Sequence, residues 1–287
     1  MKNFKLKSYC KINLFLRVVC KLKNNYHNIK SLITWLYLHD VISIKKSSTN
    51  KDKINFSGRF KFGISNEFNT VTKLLDLLRK NNYLKKEKFE INIQKNIPHG
   101  SGLGGGSSNA ADLLNYFNLN MKLKLSEKKK NSIAKKIGFD VPITLKKKNT
   151  FLNGKKNGII RLNKRLELNL LIVYPNVICS TKKIYTKNKQ LDSSGEQNLF
   201  NFKNKKQLIN ILINESNGLE KTVTKIYPKV GKVIDLIKSQ KGCYFSRITG
   251  SGSACFGIFS NMKNAIYAKK MIKRKNPKYW CAVSKTM

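Results

Sequence analysis

Residues 4–17 form an apolar run of strand type, interrupted by the polar pair Lys11 and Asn13 in Tyr9-Cys10-Lys11-Ile12-Asn13-Leu14-Phe15-Leu16. A second apolar strand follows over 27–38 and a third over 41–45, separated by a turn at His39-Asp40. Residues 51–64 read as two short strands around Gly58. Apolar positions 71, 74, 75, 77, 78 and 84 share one face at helical spacing, which predicts an amphipathic helix over 70–84. The strand 89–94 comes next. A helix starts at Ser126-Glu127 and stops near Gly138, with Phe139-Asp140-Val141-Pro142 directly after it. Lys146-Lys147-Lys148-Asn149 is the candidate domain boundary, giving domains 1–148 and 149–287. Beyond it lie a buried-type strand over 166–174, ended by Pro175, a mostly helical stretch over 197–242, and a strand over 255–259.

The stretch Ile97-Pro98-His99-Gly100-Ser101-Gly102-Leu103-Gly104-Gly105-Gly106-Ser107-Ser108-Asn109-Ala110-Ala111 places five of the chain's 17 glycines within seven residues, directly ahead of a helix-forming run. Glycines take positive φ and let a ligand approach the backbone, while the free N–H groups and dipole of a following helix attract anions. Ser107, Ser108 and Asn109 suit a helix start, and Ala110, Ala111, Leu113, Leu114 and Phe117 give it an apolar face. A flexible glycine linker, the alternative, would not run straight into a capped amphipathic helix. The dinucleotide fingerprint fails here because Asn96, Ile97, Pro98 and His99 separate the glycines from the preceding strand and residue 120 is Asn. A Walker loop needs Gly-Lys-Ser/Thr, and a protein kinase His-Arg-Asp and Asp-Phe-Gly; none of these occurs.

Charge changes the picture less than its size suggests. The chain of 287 residues carries 58 basic and 15 acidic side chains, a formal net charge of +43 that points toward nucleic acid. Only seven of the basic residues are arginine, however, whereas base and phosphate recognition draws on the arginine fork. Lysines spread along the chain beside many Asn and Ile are what an AT-rich coding sequence produces. No apolar run approaches the roughly 20 residues of a membrane span, and no signal peptide is expected, so a cytoplasmic protein is expected. Six scattered cysteines without Cys-x-x-Cys spacing read as reduced thiols, and three distant histidines argue against a dedicated metal cage.

The motif Pro-x-Gly-x-Gly-Leu-Gly-Gly-Gly-Ser-Ser-x-Ala-Ala resembles the phosphate loop of the GHMP family of small-molecule kinases. Lys-Ile-Asn-Leu-Phe-Leu from Lys11, with Tyr26-His27 after it, is similar to the branch of that family that phosphorylates a cytidine-diphospho-alcohol in non-mevalonate isoprenoid biosynthesis. Gly-x-Asp-Val-Pro around Asp140 resembles the segment holding the family's catalytic aspartate, and Thr249-Gly250-Ser251-Gly252-Ser253 its third motif. Three positions depart from the pattern: Tyr9-Cys10 stands where the family has Pro-Ala, Asn24-Asn25 where it has Asp-Gly, and Gly218 where it has Asp.

The resemblance implies an α+β, two-lobed GHMP kinase fold, with an N-terminal lobe like the second domain of ribosomal protein S5 and a ferredoxin-like C-terminal lobe. ATP and Mg²⁺ are the cofactors it implies. Lys95, Pro98, Gly100, Ser101, Gly102, Leu103, Gly104, Gly105, Gly106, Ser107 and Ser108 would hold ATP, with Ser108 or Ser107 helping to place the metal. Asp140 would accept or orient the substrate hydroxyl, and Lys11 would keep it ionised. Asn13, Tyr26, His27 and Tyr185 would bind substrate, the aromatic rings clamping cytosine. The expected partners are ATP and a cytidine-diphospho-alcohol, for a monomer or homodimer that engages no membrane and no specific nucleic acid. Another GHMP kinase acting on a different alcohol, or a basic RNA-binding protein, is the competing reading.

Overall fold

The computed structural model describes residues 4–22, 27–84, 86–154, 158–192 and 202–287. They form two compact units, one of the described residues within 1–10, 38–99 and 104–147, the other of those within 11–37, 100–103 and 148–287. Two long strands, β1 (Phe4–Lys21) and β2 (His27–Lys46), contribute residues to both.

In the first unit, β3 (Lys53–Ser57) runs parallel to β4 (Phe89–Gln94), which pairs antiparallel with residues 41–46 of β2 in the register Ile42↔Ile93. Phe89, Ile91 and Ile93 alternate inward on β4 as the strand period requires. Helix α1 (Thr70–Lys80) turns Val71, Leu74, Leu75 and Leu78 to the same core, and its Asn69 cap forms a reciprocal box with Thr72. Helices α2 (Gly105–Asn120), α3 (Glu127–Ile137) and the single turn α4 (Val141–Thr144) complete it. Ser126 and Gly138 cap α3 at the two positions the sequence marks.

In the second unit, residues 30–33 of β2 pair with β5 (Thr150–Asn153), itself paired with β6 (Ile159–Arg161). A separate antiparallel sheet has the order β10-β7-β9-β8, from β7 (Asn169–Tyr174), β8 (Cys243–Ile248), β9 (Cys255–Phe259) and β10 (Trp280–Lys285). Helices α5 (Thr181–Lys187), α6 (Lys205–Ile213), α7 (Glu220–Ile226), α8 (Pro228–Lys238) and α9 (Met262–Lys275) belong to this unit, and α7, α8 and α9 bury Val223, Val233 and Ala268 in its core. The expected α+β class is therefore observed, with two sheets.

Several boundaries differ from the pattern-based ones. Residues 27–46 make one strand: His39-Asp40 is no turn, because the Asp40 carboxylate finds four donors and so sits buried in an extended chain. Of the two strands expected over 51–64, one forms, ended at Gly58 with φ +82°. α2 begins at Gly105, ahead of the serines, and α1 stops at Lys80. β7 starts at Asn169, after Glu167 at φ +49° interrupts the extended run. All six cysteines are free thiols, and burial pushes those of Cys179 and Cys243 up to about 11.

Candidate active site

Between β4 and α2 the chain makes three left-handed turns, at Gly100, Gly102 and Gly104, with φ of 62°, 81° and 71°. A Cβ on Gly102 would overlap the Thr249 carbonyl oxygen, so glycine is required there. Backbone bonds fix this half of the loop: Lys11 N donates to Leu103 O and Ala254 N to Ser101 O, each at 3.0 Å. The other half is the first turn of α2. Its N-cap, Gly104, has no side chain with which to cap, and the turn holds no acidic residue. The orphan N–H groups and the positive end of the dipole thus remain available to an anion. Ser107 is half-buried; the Ser108 hydroxyl is fully buried and has no hydrogen-bond partner among the described residues, so that site offers an oxygen the protein leaves unused. Pro98 is buried at the loop's start. Lys95 is buried too, its ammonium held by Asp40 and by Asn109 Oδ1 at 2.9 Å.

Asp140 lies at the N-cap of α4, half-buried, yet its side chain makes no cap bond. The turn it starts is pinned to the phosphate loop, since Thr144 Oγ1 donates to Ser107 O at 3.1 Å. The aspartate is therefore carried on a turn anchored one residue from the glycines, with Pro142 pre-setting its helical backbone.

On β1, Lys11 is only 3% exposed and its Nζ donates to Asn13 Oδ1 at 2.7 Å. Asn13 in turn donates through Nδ2 to Ser31 Oγ (2.8 Å) and through its backbone N to Thr249 Oγ1 (2.9 Å). This draws together Lys11, Asn13 and the glycine turn joining β8 to β9, where Gly250 has φ +57°. That turn is held from behind by Asn217, whose Nδ2 donates to Ile248 O at 3.1 Å and Gly250 O at 2.9 Å, and by Glu220, which accepts from Ile248 N at 2.9 Å. Asn217 and Glu220 flank Gly218, the position at which the sequence departs from the family pattern. Gly218 donates its N–H to Leu16 O at 2.7 Å and has room for a Cβ. His27 and Tyr185 meet with ring centroids 5.0 Å apart and planes tilted by 34°. Burial, then the charge of Lys21, lowers the His27 pKa, so its ring is neutral at neutral pH. Tyr26 lies outside the described residues. Lys95, residues 104–108 and Asp140 thus belong to one unit, and Lys11, Asn13, residues 100–103, His27 and Tyr185 to the other.

Among the described residues no group of three or more His, Cys, Asp or Glu is placed to hold a metal ion, and no helix is long and apolar enough to cross a membrane. A glycine loop feeding a helix without a side-chain cap is suited to holding a phosphate group. The chain belongs to the GHMP kinase family: the GHMP kinases N terminal domain matches residues 69–148, and the GHMP kinases C terminal domain matches 199–278.

Within that family it is similar to the 4-diphosphocytidyl-2-C-methyl-D-erythritol kinase of Pelagibacter ubique, at 39% identity over all of both chains. A crystal structure of 4-(cytidine 5'-diphospho)-2C-methyl-D-erythritol kinase superposes with TM-score 0.74 at 21% identity, covering 98% of this chain and 99% of that one. The homoserine kinase of Cytophaga hutchinsonii superposes equally well, with TM-score 0.75 at 16% identity over 100% and 95% of the two chains. The backbone therefore defines the fold and leaves the acceptor to the sequence.

Proposed function

We propose that the chain is a cytoplasmic kinase that transfers the γ-phosphoryl group of ATP to a hydroxyl of 4-diphosphocytidyl-2-C-methyl-D-erythritol, a step of non-mevalonate isoprenoid synthesis. The observation that carries this reading is the full-length 39% identity to a relative of that name, because the fold alone fits other acceptors equally well. The paired rings of His27 and Tyr185 support it: a neutral imidazole and a phenol suit the face and polar edge of a cytosine better than they suit homoserine.

In this mechanism the first turn of α2 and the loop residues 100–104 hold the triphosphate through backbone N–H groups. Asp140 takes the proton of the acceptor hydroxyl as its oxygen bonds to the γ-phosphorus and the bond to the ADP oxygen breaks; the proton then leaves to water. Lys11, held by Asn13, offers positive charge to the transferring group. Ser107 or Ser108 would give a Mg²⁺ ion a protein oxygen, the Ser108 hydroxyl having no partner among the described residues, and the ion would neutralise phosphate charge. Purified protein with Mg·ATP should release ADP when the cytidine-diphospho-alcohol is added, and far less with homoserine or mevalonate. Equal turnover of either would overturn the acceptor assignment.

A further inference from the structure

Asp40 is fully buried, and its carboxylate gathers four donors from two stretches of chain. Oδ1 accepts the N–H groups of Asn96 and Ile97 at 2.8 and 2.9 Å; Oδ2 takes the Lys95 ammonium and Asn109 Nδ2, the latter at 3.1 Å. Lys95 also donates to Asn109 Oδ1, and Asn109 Nδ2 to Ser8 Oγ at 3.0 Å. Asn96 and Ile97 lead into the phosphate loop, and Asn109 lies one turn inside the helix that leaves it.

Both routes end at Gly105, the first residue of α2. A Cβ there would stand 3.2 Å from Ile97 Cγ2 and 3.4 Å from Lys95 Nζ, so the ammonium lies directly behind the helix N-terminus. A cation at that end of a helix opposes the dipole and is tolerated because Asp40 balances it. Buried ion pairs rarely add net stability over apolar residues of similar size, so stability alone does not account for this one.

We infer that Asp40 is a positioning residue for nucleotide binding: through Lys95, Ile97 and Asn109 it sets the distance between the two ends of the phosphate loop, and Lys95 acts from behind the loop rather than as a ligand. The inference rests on the ATP-binding part of the proposed function and is independent of the acceptor.

Mg·ATP binding is measured by calorimetry, without acceptor, on the full chain. Wild type that binds Mg·ATP but phosphorylates no acceptor would remove the acceptor assignment and leave this inference standing; wild type that binds no Mg·ATP would remove both. Asp40→Asn should lower Tm and raise the Kd for Mg·ATP by at least about tenfold, the scale of effect when supporting contacts let a site shift. The double variant Asp40→Asn/Lys95→Met, in which no unbalanced charge is buried, separates the two effects. Its Tm should recover, while its Kd stays about tenfold weak. Recovery of Kd together with Tm, or binding by either variant within twofold of wild type, would overturn the inference and leave the cluster a purely structural one. Asp52→Asn, which breaks the Arg79–Asp52 pair elsewhere in the same unit, is the control: Tm should fall with Kd unchanged.

Discussion

Asp140 starts α4 without capping it, so removing its charge takes away no helix-terminal bond of its side chain. Asp140→Asn is nearly isosteric and should therefore leave Tm and the Kd for ATP close to wild type. If the carboxylate accepts the hydroxyl proton, kcat should fall by about 10²–10⁴, the range for a positioned acid–base group. Loss of Tm with normal kcat would make it a turn residue. Lys11, Asn13 and Asp140 stand out in the sequence because each is a polar residue in an apolar setting, a pattern visible without coordinates. Asp40 does not stand out: beside His39 in an apolar run it resembles a turn, and its donors lie 55 to 69 positions away along the chain.

The glycines of the phosphate loop differ in what they do for the fold, and single alanine substitutions separate them. Gly102 has φ +81° and no space before the Thr249 carbonyl, so Gly102→Ala should cost about 1–3 kcal/mol in backbone strain alone, and Tm should drop. Gly106 lies inside α2, with Thr70 Oγ1 3.5 Å from the position of a Cβ. Gly106→Ala should hold or raise Tm, since alanine favours a helix by roughly 0.5–1 kcal/mol over glycine, yet weaken ATP binding by narrowing the approach to the first-turn N–H groups. Equal losses of Tm would remove this distinction. Elements whose signals are local were legible: β4 and β9 have the expected limits, and α3 lies between the expected caps. Elements fixed by distant partners were not. The short strand β5 exists by pairing onto β2, and β6 by pairing onto β5. Glycine as the opening residue of α2 defeats propensity because Ile97 Cγ2 and Lys95 Nζ lie 3.2 and 3.4 Å from where a Cβ would stand.

The net charge of +43 is the property of the whole chain that most invites another reading, and the placement of the arginines weighs against it. Among the described residues, four of the seven make polar contacts within the fold, Arg17 with Glu215, Arg79 with Asp52, Arg161 with Thr150 Oγ1 at 2.7 Å, and Arg247 with the carbonyl oxygens of Leu14 and Leu212, and Arg59 lies over the Phe60 ring. Burial lowers the Arg247 pKa to about 10, a further sign that this group faces the interior rather than a polyanion. What remains for a nucleic acid is mainly lysine, a strongly hydrated point charge that attracts phosphate without reading bases. RNA of any sequence should therefore bind at low salt by counterion release and lose about a thousandfold or more in affinity between about 50 and 200 mM salt if six or more phosphates are contacted. Titrating homopolymer and mixed-sequence RNAs across that range tests the point. One curve shared by all sequences and collapsing with salt is the outcome expected of a dispersed lysine surface. Binding that persists at physiological salt and separates one sequence from another would require a built site, and would restore RNA recognition as a function beside phosphoryl transfer.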